Sequence, residues 1–126
     1  MTGRIFLALA AASGAISVGV DAAARHLLDG AAERLDFALT AARYGLVHAA
    51  ALLAIALTLR AAPARGSIAI AGWLFVAGLV LFCGSLDLVA AGAPRGLIAL
   101  TPWGGSAFIA GWVALLIAAL RPRRAG

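Results

Sequence analysis

The sequence predicts an all-α fold, an integral membrane four-helix bundle with short loops. Of its 126 residues, 64% are hydrophobic and only 12% are charged, and the mean hydropathy is +1.05. Soluble domains carry about 25% charged residues, so this composition is typical of a chain that lies in lipid. The apolar residues form four runs, each close to the ~20 residues that cross a hydrocarbon core of about 30 Å. We therefore expect one domain over residues 1–126, with spans at about 5–27, 39–59, 68–90 and 102–120.

The first apolar run follows Arg4 and has two interpretations. A basic residue before an apolar stretch also describes a signal peptide. The run, however, continues with helical character to Leu28, and one face carries small or polar residues at spacings of four, three and four: Ala10, Gly14, Ser17 and Asp21. Such a face is typical of a helix that packs inside a membrane bundle, so we favour a first span.

The second run carries its polar residues near its start and is almost purely Ala, Leu and Ile afterwards. A short polar connection from Asp29 to Asp36 separates it from the first run. A basic connection from Arg60 to Ser67 follows it, and Pro63 and Gly66 favour a helix break there. Neither connection is long enough to hold a separate domain.

The third and fourth runs are rich in small residues at helical spacing, which lets helix backbones approach closely. The third run has two seams of small residues seven apart: Ala71, Gly78 and Ser85, and Ala77, Gly84 and Ala91. At the start of the fourth, we expect Thr101 to cap the helix and Pro102 to occupy its first position. The residues predicted to pack the helices together are Gly78, Gly84, Ser85, Thr101, Pro102, Gly104, Gly105 and Gly111.

The arginines predict the orientation in the membrane. Four spans place both termini on one side, together with Arg4, Arg60, Arg65, Arg121, Arg123 and Arg124. The opposite side receives Arg25, Arg34, Arg43 and Arg95. Because cytoplasmic loops carry the excess of basic residues, both termini are expected in the cytoplasm.

Ionisable residues inside the spans are the candidate functional residues, since such groups are costly in lipid. Seven polar residues are predicted to lie at one depth, in the half of the membrane opposite the termini: Asp21, Arg25, His26, Arg43, Tyr44, His48 and Asp87. In the structural interpretation, Asp21 pairs with Arg25 or Arg43, Asp87 pairs with a remaining arginine, and the network fixes the helix register. In the functional interpretation, His48 accepts protons beside a cavity.

Other kinds of site find little support. The net charge of +5 comes from ten scattered arginines, which form no continuous patch, so no nucleic-acid partner is expected. The possible metal ligands His26, His48, Cys83 and Asp87 lack any close ligand spacing, and we predict neither metal nor cofactor. The lone Cys83 excludes an intrachain disulfide.

Two segments carry a resemblance to a known family. Phe82-Cys83-Gly84-Ser85-Leu86 and the stretch from Thr101 to Trp112, Thr-Pro-Trp-Gly-Gly-Ser-Ala-Phe-Ile-Ala-Gly-Trp, resemble the YgdD/YwdK-like family of small bacterial membrane proteins. The resemblance extends over nearly the whole chain. Shorter matches occur at Gly14-Ala15-Ile16, His26, Tyr44 with His48, and Gly72-Trp73-Leu74-Phe75. The family is catalogued as a domain of unknown function and has transmembrane protein 256-like relatives in eukaryotes.

The resemblance implies four helices in the plasma membrane and brings no established activity. The chain departs from the family pattern at several positions. It has Asp21 to His26 where the family tends to read Gly-Ala-Phe-Gly-Ala-His, Gly45 where the family tends to have Gln, and Asp87 where the family tends to have Tyr.

For function, the sequence favours a non-enzymatic structural or accessory subunit that packs laterally, because short loops leave helix faces as the main exposed surface. Its expected partners are the lipid bilayer and a larger membrane complex or a second copy. The alternative is a small transporter or proton-linked permeation element that uses Asp21, His48 and Asp87. An enzyme is the least favoured class, since no nucleophile and base occur at a recognisable spacing.

Overall fold

The computed structural model describes residues 1–62 and 66–121, and every regular element within them is helical. Four helical segments are long and apolar enough to cross a membrane: Thr2–Leu27, Ala32–Ala61, Gly66–Ala90 and Arg95–Leu120. The predicted all-α, four-span architecture is thereby confirmed. Part of the predicted basic connection (Pro63 and Arg65) and the terminal Arg123 and Arg124 lie outside the described residues.

The elements in chain order are α1 (Thr2–Leu27), α2 (Ala32–Ala61), α3 (Gly66–Gly78), a π-helical turn (Leu79–Cys83), α4 (Gly84–Ala90), a 3-10 segment (Arg95–Leu100) and α5 (Thr101–Leu120). The backbone stays helical from α3 through the π turn into α4, and we call these three elements the third span. The predicted connection before α2 is largely helical, so α2 begins well before residue 39. Gly30, with φ +79°, makes the tight turn that separates α1 from α2.

The helices pack as two close pairs. α1 lies along α2, α3 lies along α5, and α2 joins the pairs through its contacts with the third span. Phe6 of α1, Leu52 of α2 and Phe75 of α3 are fully buried where these helices meet. The large apolar side chains of α1 and α5 that face outward, such as Val18 and Ile109, cover the surface that lipid would contact.

Three of the predicted packing glycines lie where helices nearly touch. A Cβ atom on Gly104 would collide with the backbone nitrogen and Cα of Phe82, and one on Gly78 would collide with the ring of Phe108. A Cβ on Gly111 would lie 2.6 Å from Cδ1 of Phe75. These glycines therefore allow the close approach of the third span and α5 that the small-residue pattern predicts.

The second seam of the third span behaves differently. Gly84 is only half-buried, and a Cβ on it would find its nearest neighbour, the carbonyl oxygen of Leu79, at 3.9 Å. Ala77 is half-buried and Ala91 is exposed. The prediction that Gly84 packs against another helix is therefore wrong, because this face of the third span borders a cavity. Gly105 makes ordinary contact, since its Cβ would lie 3.7 Å from the Phe82 ring.

The start of α5 also differs from the prediction. Thr101 does not cap the helix: the 3-10 segment runs directly into α5, and the amide of Thr101 donates to the carbonyl of Ile98. Thr101 is therefore the first α-helical residue and Pro102 the second. The Thr101 hydroxyl instead lies 2.7 Å from Oγ of Ser85, whose own hydroxyl donates to the carbonyl of Phe82 at 3.0 Å. A predicted cap is in fact a bond between two spans.

Replacing Thr101 by valine tests this bond. Thr101→Val keeps the side-chain shape and removes the hydroxyl that reaches Ser85, and we expect a loss of about 1 kcal/mol in the free energy of unfolding in mild detergent. Thr58→Val is the matched control, because the Thr58 hydroxyl donates within its own helix, to the carbonyl of Ala54 at 2.8 Å. Equal losses in the two variants would contradict a specific role for the bond between spans.

Candidate functional site

The seven polar residues predicted to form one network occupy separate places in the structure. Asp21 and Arg25 form the predicted pair, with two hydrogen bonds of 3.0 and 3.1 Å on the partly exposed surface of α1. His26 and Arg43 are exposed and make no side-chain hydrogen bond within the described residues. Of the two predicted partners of Asp21, the structure therefore selects Arg25, and the Arg43 side chain lies on an outward face of α2.

His48 lies in an aromatic cluster between α2 and α5. Its ring is 3% exposed and stacks on Phe108 with a centroid separation of 3.6 Å. Nδ1 lies 2.8 Å from the carbonyl oxygen of Tyr44, and the Trp112 indole N–H donates to Nε2 over 3.2 Å. This arrangement uses both ring nitrogens and requires the neutral tautomer that carries its proton on Nδ1. The contacts favour the structural interpretation of His48.

Asp87 is the acidic residue that the predicted pairing fails to explain. Its Oδ1 atom is buried and has no hydrogen-bond partner within the part of the chain that the structure describes. The arginines near this end of the third span have other partners. Arg34 Nε donates to the carbonyl of Ala90 at 2.7 Å, and Arg95 forms a two-bond pair with Glu33, at 2.6 and 2.7 Å. No described arginine therefore forms the predicted pair with Asp87.

Asp87 lies in a groove between α1 and the third span. These helices touch where Phe6 packs against Gly72 and, with a centroid separation of 5.1 Å, against Trp73. Farther along, two cavities of about 260 and 400 Å³ separate them, and Asp87 borders both. We call these the inner and outer cavities, and together the lateral groove, because the groove opens sideways between two helices.

The inner cavity reaches toward the middle of the third span, and its lining is mainly apolar. Its walls include Leu9 and Ile16 of α1 together with Leu79, Val80 and Gly84 of the third span. Three of these residues belong to, or directly follow, the π-helical turn, where one extra residue per turn alters the helix face. π turns within α-helices occur frequently at functional sites.

The floor of the groove is formed by α2, which α1 crosses at close range. Gly45 of α2 has no side chain, and Ser17 of α1 occupies the space beside it. A Cβ atom on Gly45 would collide with the Ser17 hydroxyl. The Ser13 hydroxyl donates to the carbonyl of Gly45 at 3.5 Å. α1 is thus held on α2, so its separation from the third span is a feature of the packing.

The outer cavity lies at the end of the bundle that carries the Ala91–Pro94 connection. Apolar residues such as Val20 and Leu27 line it, together with Asp87 and the exposed Arg34. The Nη atoms of Arg34 have no acceptor among residues 1–62 and 66–121, although its Nε is bound to Ala90. One acidic and one basic side chain thus border the same cavity.

No described group of three or more His, Cys, Asp or Glu residues could hold a metal ion. Cys83 is a buried free thiol on the wall of the inner cavity. Sequence reasoning did not single out Arg34 as a site residue, because its position beside Asp87 depends on the course of two connections. It also gave no signal for the hydrogen bond between Trp112 and His48.

Comparison with known proteins decides the family. Residues 20–105 match the family described as Protein of unknown function (DUF423). The chain belongs to this family. The match includes Arg34, His48 and Asp87 and ends just after the start of α5.

Relatives in this family match nearly the whole chain. Membrane protein YwdK of Bacillus subtilis (strain 168) is 35% identical over 120 residues, which cover 94% of this chain and 98% of the relative. Inner membrane protein YgdD of Escherichia coli (strain K12) is 36% identical over 135 aligned positions, covering 100% of this chain and 97% of the relative. No solved structure matches the chain. With four helices of spanning length, the chain is a multi-pass protein of the bacterial inner membrane, and its family has no established activity.

Proposed function

We propose that this chain is a non-enzymatic membrane protein that acts by lateral association within the bilayer, as a small structural or accessory subunit. The observation that carries the proposal is the lateral groove, which Asp87 lines and where its Oδ1 has no hydrogen-bond partner in the described part of the chain. A carboxyl group without a partner is costly in lipid, so a ligand that supplies a hydrogen-bond donor gains stability there. Such a ligand reaches the groove by moving sideways in the membrane.

The short connections support the same proposal. Only Leu28–Ala31 separates α1 from α2, and Ala91–Pro94 separates the third span from the 3-10 segment. Little surface outside the membrane is available on this side of the bundle. The outer faces of α1 and α5 are apolar and exposed, which leaves them available to a larger membrane complex or a second copy. The arginine distribution supports cytoplasmic termini for this arrangement.

Two groups with catalytic potential, the Ser85 hydroxyl and the His48 imidazole, have structural partners, which supports a non-enzymatic role. The Ser85 hydroxyl is bonded to Phe82 and Thr101, and both nitrogens of His48 are occupied. The permeation alternative has weaker support for a related reason. Asp21 lies in an ion pair on α1, His48 lies in the aromatic cluster, and Asp87 lies in the lateral groove. These three places do not form one path.

Native mass measurement after extraction in a mild detergent tests the proposal. We expect species heavier than the 12.6 kDa chain by a defined mass, from a bound lipid or a protein subunit. Ile16→Trp places a larger side chain in the inner cavity and should reduce the groove-bound share of that mass. Val113→Trp, at an exposed position on α5, is the matched control and should retain it. Bare monomer under all mild conditions would contradict lateral association.

A further inference from the structure

We propose that the lateral groove binds a phospholipid whose headgroup carries a primary ammonium group, with Asp87 receiving the ammonium and Arg34 the phosphate. This inference rests on the proposed lateral association and names the ligand class. It assigns the outer cavity to the headgroup and the inner cavity to an acyl chain. Four observations carry it.

The first observation is the chemical demand of Asp87. Its Oδ1 is buried and has no hydrogen-bond partner among the described residues, and Asp87 lines both cavities. A carboxylate is only an acceptor, so its partner must present N–H or O–H donors. The described arginines of this region do not bond to it: Arg95 pairs with Glu33, and Arg34 donates through Nε to the carbonyl of Ala90. We therefore infer that a ligand in the groove supplies the N–H or O–H donor.

The second observation is the pairing of charges in the outer cavity. Asp87 and Arg34 border the same space of about 400 Å³, and the other side chains around it are mainly apolar, such as Val20, Leu27 and Leu28. A guanidinium with free Nη groups suits a phosphate, and a carboxyl suits an ammonium. A zwitterionic headgroup that contains both charges matches this pair, whereas a purely anionic headgroup leaves Asp87 without a cation.

The third observation is depth. Asp87 lies four residues before Ala91, which corresponds to about 6 Å along a helix axis. The exposed Glu33–Arg95 pair and the Ala91–Pro94 connection lie at the same end of the bundle. Asp87 is therefore within reach of a headgroup located at the membrane surface.

The fourth observation is continuity. The inner cavity starts at Asp87 and follows the third span to Val76, with apolar side chains from α1 on the other wall. This direction leads from the membrane surface toward the bilayer centre, as an acyl chain does. A protein helix is a poorer fit, because its backbone would need a far wider space than these two cavities provide.

A headgroup series tests the proposal on the unmodified protein. The chain is reconstituted in nanodiscs with phosphatidylethanolamine, its mono- and dimethyl derivatives, and phosphatidylcholine, and the retained lipid is measured by native mass spectrometry. We expect about tenfold stronger retention of the primary ammonium lipid than of the trimethylated lipid, which has no N–H donor. Equal retention across the series would overturn the headgroup assignment.

Asp87→Asn should bring the retention ratio of the two lipids close to one while lipid remains bound. Asp21→Asn is the matched control: Asp21 is paired with Arg25 on the surface of α1 and does not border either cavity, so the preference should persist. Arg34→Gln should weaken retention of all the phospholipids alike. If Asp87→Asn keeps the preference, Asp87 does not receive the ammonium.

The outcomes separate this inference from the proposed function. Lipid that binds without headgroup preference, or a protein subunit in place of lipid, would overturn the ammonium-lipid assignment and leave lateral association intact. The absence of any defined added mass would contradict both proposals.

Discussion

Gly104→Ala should lower the free energy of unfolding by about 3 kcal/mol, the upper end of the usual cost of overpacking. The added Cβ would collide with the backbone nitrogen and Cα of Phe82, which no side-chain rotation can move away. α5 would have to shift from the third span, and the Ser85–Thr101 bond at the same level would weaken. Thermal unfolding in mild detergent, followed by circular dichroism, measures the change. Gly104→Leu should prevent folding.

The neighbouring Gly105 provides the matched control. A Cβ there would lie 3.7 Å from the Phe82 ring, which is ordinary contact distance, so Gly105→Ala should change stability little. Gly19→Ala is a second control, because nothing lies within 4 Å of its added Cβ. A stable Gly104→Ala protein, or equal effects at Gly104 and Gly105, would contradict the packing of α5 on the third span.

His48→Ala should cost about 3 to 5 kcal/mol, as the truncation of a buried aromatic ring does. The change leaves a cavity beside Phe108 and removes the acceptor of the Trp112 N–H. The carbonyl of Tyr44 also loses its side-chain donor. Chemical or thermal unfolding of the purified protein in detergent measures the loss, and a stability close to that of the unmodified chain would contradict the structural role of His48.

A tryptophan pair separates the hydrogen bond from the packing. Trp112→Phe keeps an aromatic ring beside His48 and removes the donor to Nε2, which should cost about 1 kcal/mol or slightly more. Trp103→Phe, at a position that is 70% exposed, should leave stability unchanged. If the two variants lose equal stability, the bond from Trp112 contributes nothing specific.

The observed partners of the polar residues show which contacts can be predicted from the sequence. The Asp21–Arg25 pair follows from a spacing of four on one helix, and it is present. Whether Asp87 has a partner depends on the rotation of the third span and on two connections that bring Arg34 to Ala90 and Arg95 to Glu33. No local pattern specifies those contacts. The sequence therefore predicts which residues lie at the same depth in the membrane, but not which way each side chain faces around its helix.

Small residues illustrate the same limit within the packing. The spacing of Gly78, Gly104 and Gly111 predicts close helix approach, and each lies against an aromatic residue. Gly84 occurs in an equivalent pattern but faces the lateral groove. A small residue allows another helix to approach closely, but it does not determine whether a helix lies there. Only the arrangement of all four spans distinguishes a packing position from the wall of a cavity.

The sequence by itself determined the membrane location and the four helical spans, because a run of about 20 apolar residues must satisfy its own backbone hydrogen bonds in lipid. It also determined which faces are small enough for close packing. The tertiary structure decided that His48 is enclosed by Phe108 and Trp112, that Thr101 bonds to Ser85, and that Oδ1 of Asp87, beside an open groove, has no partner among the described residues. These outcomes depend on helix rotation and separation, which arise from the packing of the whole bundle and not from any one segment.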